Sequence, residues 1–443
     1  MKLYDSLKRE FIEINVPKFC IYSCGPTVYD YIHIGNARPL ILTDIIVRYL
    51  EYKEIKYKYL LNITDIDDKI IQKAAEQNIA EEEHAQIYAD AFFNDLKNLN
   101  IKSPTLITPI SSKISEILIF IDDLIKKGFA YEKKGNVYFD IGKWSNEYGA
   151  LSNQNINNLN IGERIEIDEN KKNPQDFILW KKTKTGKKWL SKWGFGRPGW
   201  HTECALLIDD FFKDTIDIHV GGIDLKFPHH ENERIQYMAK NSKELSNIWL
   251  HNGHLSIDDI KMSKSLNNTI LVKDYLEENG VNSLRYIFLN SNYTQPLNIN
   301  QDLINQSIDW VTKVESLLRT VNWGTAIGEV VLINETPIDE DFNSYKYITN
   351  FESLLDDDLN TPMIISLIDE MCKNINIQIK SKRVDLTYKK LLKIIKVLGF
   401  SFNIKKLDKK DIEKIKEWKL LISQKKFDKA DKLRETLKQG NII

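Results

Sequence analysis

The chain has 443 residues, 42% of them hydrophobic, and a formal net charge of −1 at pH 7. That length exceeds one ordinary core and argues for about two to four domains, while the balanced charge excludes a histone-like polybasic protein and four cysteines are too few for a disulfide scaffold. No run reaches the roughly 18 apolar residues of a membrane span, and the charged start Met1-Lys2-Leu3-Tyr4-Asp5 is unlike a signal peptide, so a cytoplasmic protein without a membrane partner is expected.

In chain order, residues 19–23 read as a strand ending at Gly25-Pro26. Residues 39–50 have helical spacing in Leu40, Ile41, Ile45, Val47 and Leu50, and 56–63 read as a second strand. Strand, helix, strand at this spacing is a βαβ unit, which predicts a parallel sheet with ligands at the carboxyl ends of its strands. From 99 to 196 the texture changes to a helix over 114–127, a hairpin over 131–140, then Asn- and Lys-rich loops, which read as an inserted domain. Parallel-sheet texture returns with a helix over 200–212, a strand over 217–221, a helix after Pro228 and a strand over 248–251. After Gln301 the pattern is helical, over 302–321, 345–356, 362–379, 386–398, 411–423 and 427–439. Residues 403–443 hold 13 Lys and Arg against 7 Asp and Glu, so the C-terminal end is the best electrostatic candidate for meeting a polyanion.

Two short motifs carry nucleotide chemistry. His33-Ile34-Gly35-Asn36 sits where the first strand hands over to its helix, and a helix N-terminus there offers N–H groups to phosphate. Gly35 allows close backbone approach, and His33 can donate to a phosphoryl oxygen. Lys261-Met262-Ser263-Lys264-Ser265 places two lysines three apart in a loop able to close over a triphosphate. Metal chemistry is suggested by Cys24, Cys204 and the run Pro228-His229-His230-Glu231-Asn232-Glu233, in which His229 and Glu233 are i and i+4 on one helix face. Two thiolates, an imidazole and a carboxylate make a zinc set, with His230 or Glu231 as alternative ligands at this point.

The two nucleotide motifs resemble the HIGH and KMSKS signatures of class I aminoacyl-tRNA synthetases, with Asn36 where a second histidine is usual. Four further segments, 22–30, 62–69, 196–204 and 227–233, resemble cysteinyl-tRNA synthetases, and the resemblance spans nearly the whole chain. It implies a Rossmann-like α/β catalytic domain in two halves, 1–98 and 197–255, around an inserted connective domain at 99–196. A KMSKS and stem-contact region at 256–300 and an all-α tRNA-binding bundle at 301–443 complete the expected domains.

The resemblance further implies a zinc ion on Cys24, Cys204, His229 and Glu233, and Cys24, Thr64, Trp200 and His201 around the substrate cysteine. ATP, with Mg2+, would meet His33, Gly35, Asn36, Asp224 and Lys264, with His33, Asn36, Lys261 and Lys264 catalytic. The expected partners are ATP, L-cysteine and tRNA(Cys), acting on a monomer. Cysteine differs from serine by one atom, and a shape-based pocket separates such isosteres by only about 1–3 kcal/mol, whereas zinc prefers the soft thiolate, so no editing domain is expected. The chain stops at Ile443 where many relatives continue into a tryptophan-bearing tail, so anticodon discrimination is expected either to be weaker or to be supplied by other residues, with Trp418 a candidate for base stacking. The rival readings are a cysteine ligase acting on an amino sugar, which predicts a shorter C-terminal region, and a non-catalytic tRNA-binding homologue, which predicts a degenerate ATP site.

Overall fold

A computed structural model describes residues 1–153, 168–262, 268–333 and 338–443. The chain divides into two compact units, one of residues 1–275 and 293–298, the other of residues 276–292 and 299–443.

The first unit is built on a five-stranded sheet in which every neighbouring pair is parallel. Its spatial order is Ser246–Asn252, Ile216–Gly222, Lys18–Ser23, Lys56–Ile63, Leu106–Pro109. The Ile34–Tyr52 helix makes the crossover between Lys18–Ser23 and Lys56–Ile63, as the apolar spacing predicts. It begins five residues earlier than that spacing suggests. Pro39 lies inside it, so residue 39 supplies no N–H to the carbonyl of Gly35, a loss tolerated this close to the helix start. The order of the sheet reverses on either side of Lys18–Ser23, and the crevice at such a switch point is where parallel sheets receive ligands. Cys24 follows this strand directly.

A second sheet of five strands is antiparallel, in the order Ala130–Lys133, Asn136–Phe139, Phe177–Lys182, Gly194–Pro198, Trp189–Ser191. The last three strands fall where the sequence reads as polar loops. Lysines and glycines dominate that stretch, but Phe177 and Trp180 give it an inner face: Phe139 stacks on Phe177 at 5.1 Å and Trp180 is fully buried.

The second unit is helical. Gln301–Ala326, Ile338–Asp356, Thr361–Lys380, Thr387–Val397, Lys409–Ser423 and Phe427–Gln439 match the six helices read from periodicity. Ile364, Ile368, Met371 and Ile375 recur at three- and four-residue steps on Thr361–Lys380 and are all fully buried, each contributing about 1.5–3 kcal/mol. A smaller cluster unites Ile415, Leu437 and Ile442 with Trp323 and Trp418. Among the described residues no helix is long and apolar enough to cross a membrane.

Candidate active site

A cavity of about 480 Å3 opens at the switch point, and its wall includes Cys24, His33, Gly35, Asn36, Asp224 and Lys261. His33 is the N-cap residue of the Ile34–Tyr52 helix, and its N–H donates to Asn36 Oδ1 at 3.2 Å. Asn36 thus has a structural duty its sequence position does not announce, with its amide nitrogen left as the polar donor. A Cβ on residue 35 would lie 2.7 Å from Met262 Cε and 2.9 Å from the His33 ring, so with glycine the two signatures pack together without shifting those side-chain ends. They meet on the other flank as well: His33 bridges Leu271, Ile34 N–H donates to Ile270 O at 2.9 Å, and Val272 N–H donates to Ile32 O at 3.0 Å. Lys264 itself lies outside the described residues, but Lys261, Met262 and Ile270, on either side of it, border the His33 loop.

Further into the cavity wall stand Cys204 and His229, with Trp200 stacked on the His229 ring at 3.9 Å between centroids. Cys24, Cys204, His229 and Glu233 have ligand atoms all within 4.8 Å of one another, and the last three are buried. Cys204 Sγ lies 3.6 Å from His229 Nε2, Cys24 Sγ 3.8 Å from Glu233 Oε1, and His229 Nε2 2.9 Å from Glu233 Oε1. A tetrahedron with zinc-like bonds of about 2.0–2.3 Å has edges of about 3.3–3.8 Å. The two separations that involve sulfur match those edges, while the His229–Glu233 contact is a shorter, hydrogen-bonded one, so the residues present fit a zinc ion in donor chemistry and in the placement of the thiols.

The structure also bears on the alternatives left open at 230 and 231. Glu231 turns away to Ser152, whose N–H and Oγ donate to it at 2.9 and 3.0 Å. His230 is harder to set aside, because Cys24, His219, His230 and Glu233 form a second group of potential ligands. Its Nε2 lies 3.4 Å from Cys24 Sγ while its Nδ1 meets His251 Nε2 at 2.9 Å, and His219 Nε2 meets Glu233 Oε2 at 2.8 Å. That second group has one thiol instead of two, so the first suits a soft-leaning cation better. His230 was already an alternative ligand in the sequence, whereas His219 and His251 were not singled out; two histidines on strands that border one crevice are their only signal.

Electrostatics reinforce the cluster. Burial would raise Glu233, but His229 and His219 hold it well below the usual carboxylate range. Burial would lower His229, yet the Glu233 charge and Cys204 push it up to about 10. Burial also raises Cys204, and its hydrogen bond with Cys24 together with His229 outweighs this, bringing it to about 7. The cluster thus favours thiolate character at Cys204, as a metal ligand needs, whereas burial, with the Cys204 hydrogen bond and the Glu233 charge, raises the Cys24 thiol well above its usual value.

Two of the expected substrate residues lie elsewhere. Thr64 is 1% exposed and sits behind the wall, where Asn62 takes the cavity-facing place. His201 lines a separate cavity on the other side of Trp200, and its Nδ1 is 2.9 Å from His229 Nδ1. Burial and the His229 charge lower it to about 3, so it serves the cluster as a neutral ring.

Comparison with known proteins gives the same answer along the whole chain. A family model described as the tRNA synthetases class I (C) catalytic domain matches residues 10–309, and a DALR domain matches 350–403. Cysteine–tRNA ligases of Mycoplasma mycoides subsp. mycoides SC and Mycoplasma capricolum subsp. capricolum are 50% and 52% identical, each match covering 100% of both chains. The fold is shared with Mycobacterium tuberculosis methionyl-tRNA synthetase in complex with methionyl-adenylate, at a TM-score of 0.62, 13% identity and coverage of 86% of this chain and 90% of that one. The chain belongs to the cysteine–tRNA ligase family of class I aminoacyl-tRNA synthetases.

Proposed function

We propose that this protein ligates L-cysteine to tRNA(Cys) at the expense of ATP, through a cysteinyl-adenylate. The observation that carries the reading is the joining, in one cavity, of a two-thiol cluster with the His33 loop and Lys261. The full-length match to relatives named cysteine–tRNA ligase favours it over ligation to an amino sugar.

Cys24, Cys204, His229 and Glu233 would hold zinc, which when bound supplies a soft Lewis acid that prefers the thiolate of cysteine to the hydroxyl of serine. Trp200, stacked on His229, closes the side of that subsite. His33, Gly35 and Asn36 receive the ATP phosphates at the helix N-terminus, Asp224 faces the sugar, and Mg2+ accompanies the triphosphate. The cysteine carboxylate attacks the α-phosphorus, the bond to the β-phosphate breaks, and Lys261 and Lys264 neutralise the departing pyrophosphate. A terminal ribose hydroxyl of tRNA then attacks the activated carbonyl and AMP leaves; positioning and charge stabilisation carry the rate.

Residues 1–98 and 197–255 form the catalytic halves in this reading, 99–196 the connective insertion, 256–300 the KMSKS and stem-contact region and 301–443 the tRNA-binding helices of a cytoplasmic monomer. The test is amino-acid-dependent exchange of pyrophosphate into ATP by zinc-replete enzyme and by Cys204→Ser. Exchange driven by cysteine and not serine, lost with the metal in the variant, is expected. Equal exchange with serine overturns the selective role, and no exchange with either overturns the reading.

A further inference from the structure

The two thiols of the cluster come from segments 180 residues apart, Cys24 after one strand and Cys204 within the Trp200–Phe212 helix. A continuous line of hydrogen bonds, part-buried at Gly25 and buried beyond it, joins the residue after the first to the residue before the second. Gly25 N–H donates to Asn62 Oδ1 at 2.7 Å, Asn62 Nδ2 donates to Thr64 Oγ1 at 3.2 Å, and the Thr64 hydroxyl donates to Glu203 Oε2 at 3.0 Å. Asn62, Thr64 and Glu203 are each 1% exposed. Tyr22 Oη adds a second donor to Asn62 Oδ1 at 2.9 Å, so both lone pairs of that oxygen are used. The backbone is gripped at the same place: a Cβ on residue 25 would stand 1.7 Å from Asn62 O, so no other residue could seat the Cys24 turn this close.

Thr64 is the middle of this line and spends both a donor and an acceptor on it, behind the cavity wall. We propose that Asn62, Thr64 and Glu203 are positioning residues that set the spacing of the Cys24 and Cys204 thiols, and that Thr64 acts through this spacing and not by touching the substrate. The argument is geometric. A tetrahedral ion tolerates little variation in ligand separation, and groups that orient ligands typically account for about 10–100-fold in metal affinity. A buried line with every member satisfied is stiff, while one missing hydroxyl leaves an unpaired donor at Asn62 and an unpaired acceptor at Glu203.

The inference rests on the metal-dependent cysteine reading above, and its test separates the two. Full-length parent, Thr64→Val and Thr64→Ser are compared for zinc affinity by chelator competition, for the visible absorption of the cobalt-substituted site, and for the melting temperature of the metal-free chain. Thr64→Val keeps the shape and is expected to bind zinc about 10–100-fold more weakly and to shift the cobalt bands. In pyrophosphate exchange its KM for cysteine rises while that for ATP stays within about twofold, and Thr64→Ser restores affinity to within about threefold of the parent. Thr64→Val with the parent's zinc affinity and cobalt bands overturns the inference, as does a fall in melting temperature of the metal-free chain with no change in either. Should Thr64→Val not fold, Asn62→Asp keeps the acceptor for Tyr22 and Gly25 and removes the donor to Thr64, and the same readouts decide. A parent that binds zinc but shows no cysteine-driven exchange defeats the proposed function alone, whereas a parent that binds no zinc defeats both.

Discussion

Cavities of nearly equal volume in the two units, about 480 Å3 in the first and 450 Å3 in the second, are built on opposite principles. The first gathers thiols, imidazoles and a carboxylate from distant segments and buries them, so each group strongly perturbs its neighbours. The second is lined by Thr312, Glu315, Arg319 and Trp323, at three- and four-residue steps along one helix, and by Trp418, Arg434 and Lys438. Trp323 and Trp418 meet edge to face at 6.1 Å, with the Lys419 ammonium 4.6 Å from the Trp323 ring centre. Burying ionisable groups suits discrimination between nearly identical small molecules; a cationic, aromatic helix surface suits reversible contact with a long polyanion.

The comparison breaks most sharply at Glu233. Glu233→Gln should release the metal and lower cysteine-dependent pyrophosphate exchange by about 10³-fold, about 4 kcal/mol, because it strips a buried charge from His229 and His219. Affinity for tRNA in a filter-binding assay should change less than about threefold, and an equal loss in both assays would show that the cavities do not divide the work. The reciprocal change is Arg434→Glu with Lys438→Glu. It should weaken tRNA binding by about 10-fold or more at low salt and flatten the slope of log K against log salt by about 2, with tRNA-free exchange unaffected.

A control lies in the first unit away from both cavities' chemistry. Asp95 is 3% exposed, its Oδ2 has no hydrogen-bond partner, and burial pushes it up to about 6, offset in part by the Lys273 charge. A raised carboxyl contributes stability that is full below the unfolded value near 4 and is lost as pH rises through 6. Asp95→Asn should therefore stabilise the protein by about 1–2 kcal/mol at pH 8 in urea titrations, with the gain vanishing toward pH 4. A constant gain at both pH values would assign the effect to packing. Smallest of all, Lys419→Ala should cost about 0.5–1 kcal/mol of stability through the lost cation–π contact, with no effect on cysteine activation.

Much of this molecule was legible because its signals are local. The apolar spacing of 39–50 and of the six C-terminal helices, the glycine at 35, and the i, i+4 placement of His229 and Glu233 each depend on a few consecutive residues, and each reappears in the structure. What local pattern misses is how distant polar groups choose partners. The strands at Phe177–Lys182, Trp189–Ser191 and Gly194–Pro198 were hidden because their lysines face outward while their aromatic partners come from other strands. Asn62 and Glu203 gave no signal, since an amide and a carboxylate become informative only once the fold brings Gly25 and Thr64 to them.

The sequence by itself determined the βαβ unit, the helical second half and the two nucleotide motifs, because backbone periodicity and residue chemistry are properties of short segments, while it left His230 and Glu231 open as ligands beside His229 and Glu233. Only the tertiary structure decided that Glu231 turns to Ser152 while His229 faces the thiols, that His201 stands on the far side of Trp200, and that Thr64 lies behind Asn62. Those choices follow from the burial of polar groups, each of which must find a partner wherever the chain brings one within about 3 Å.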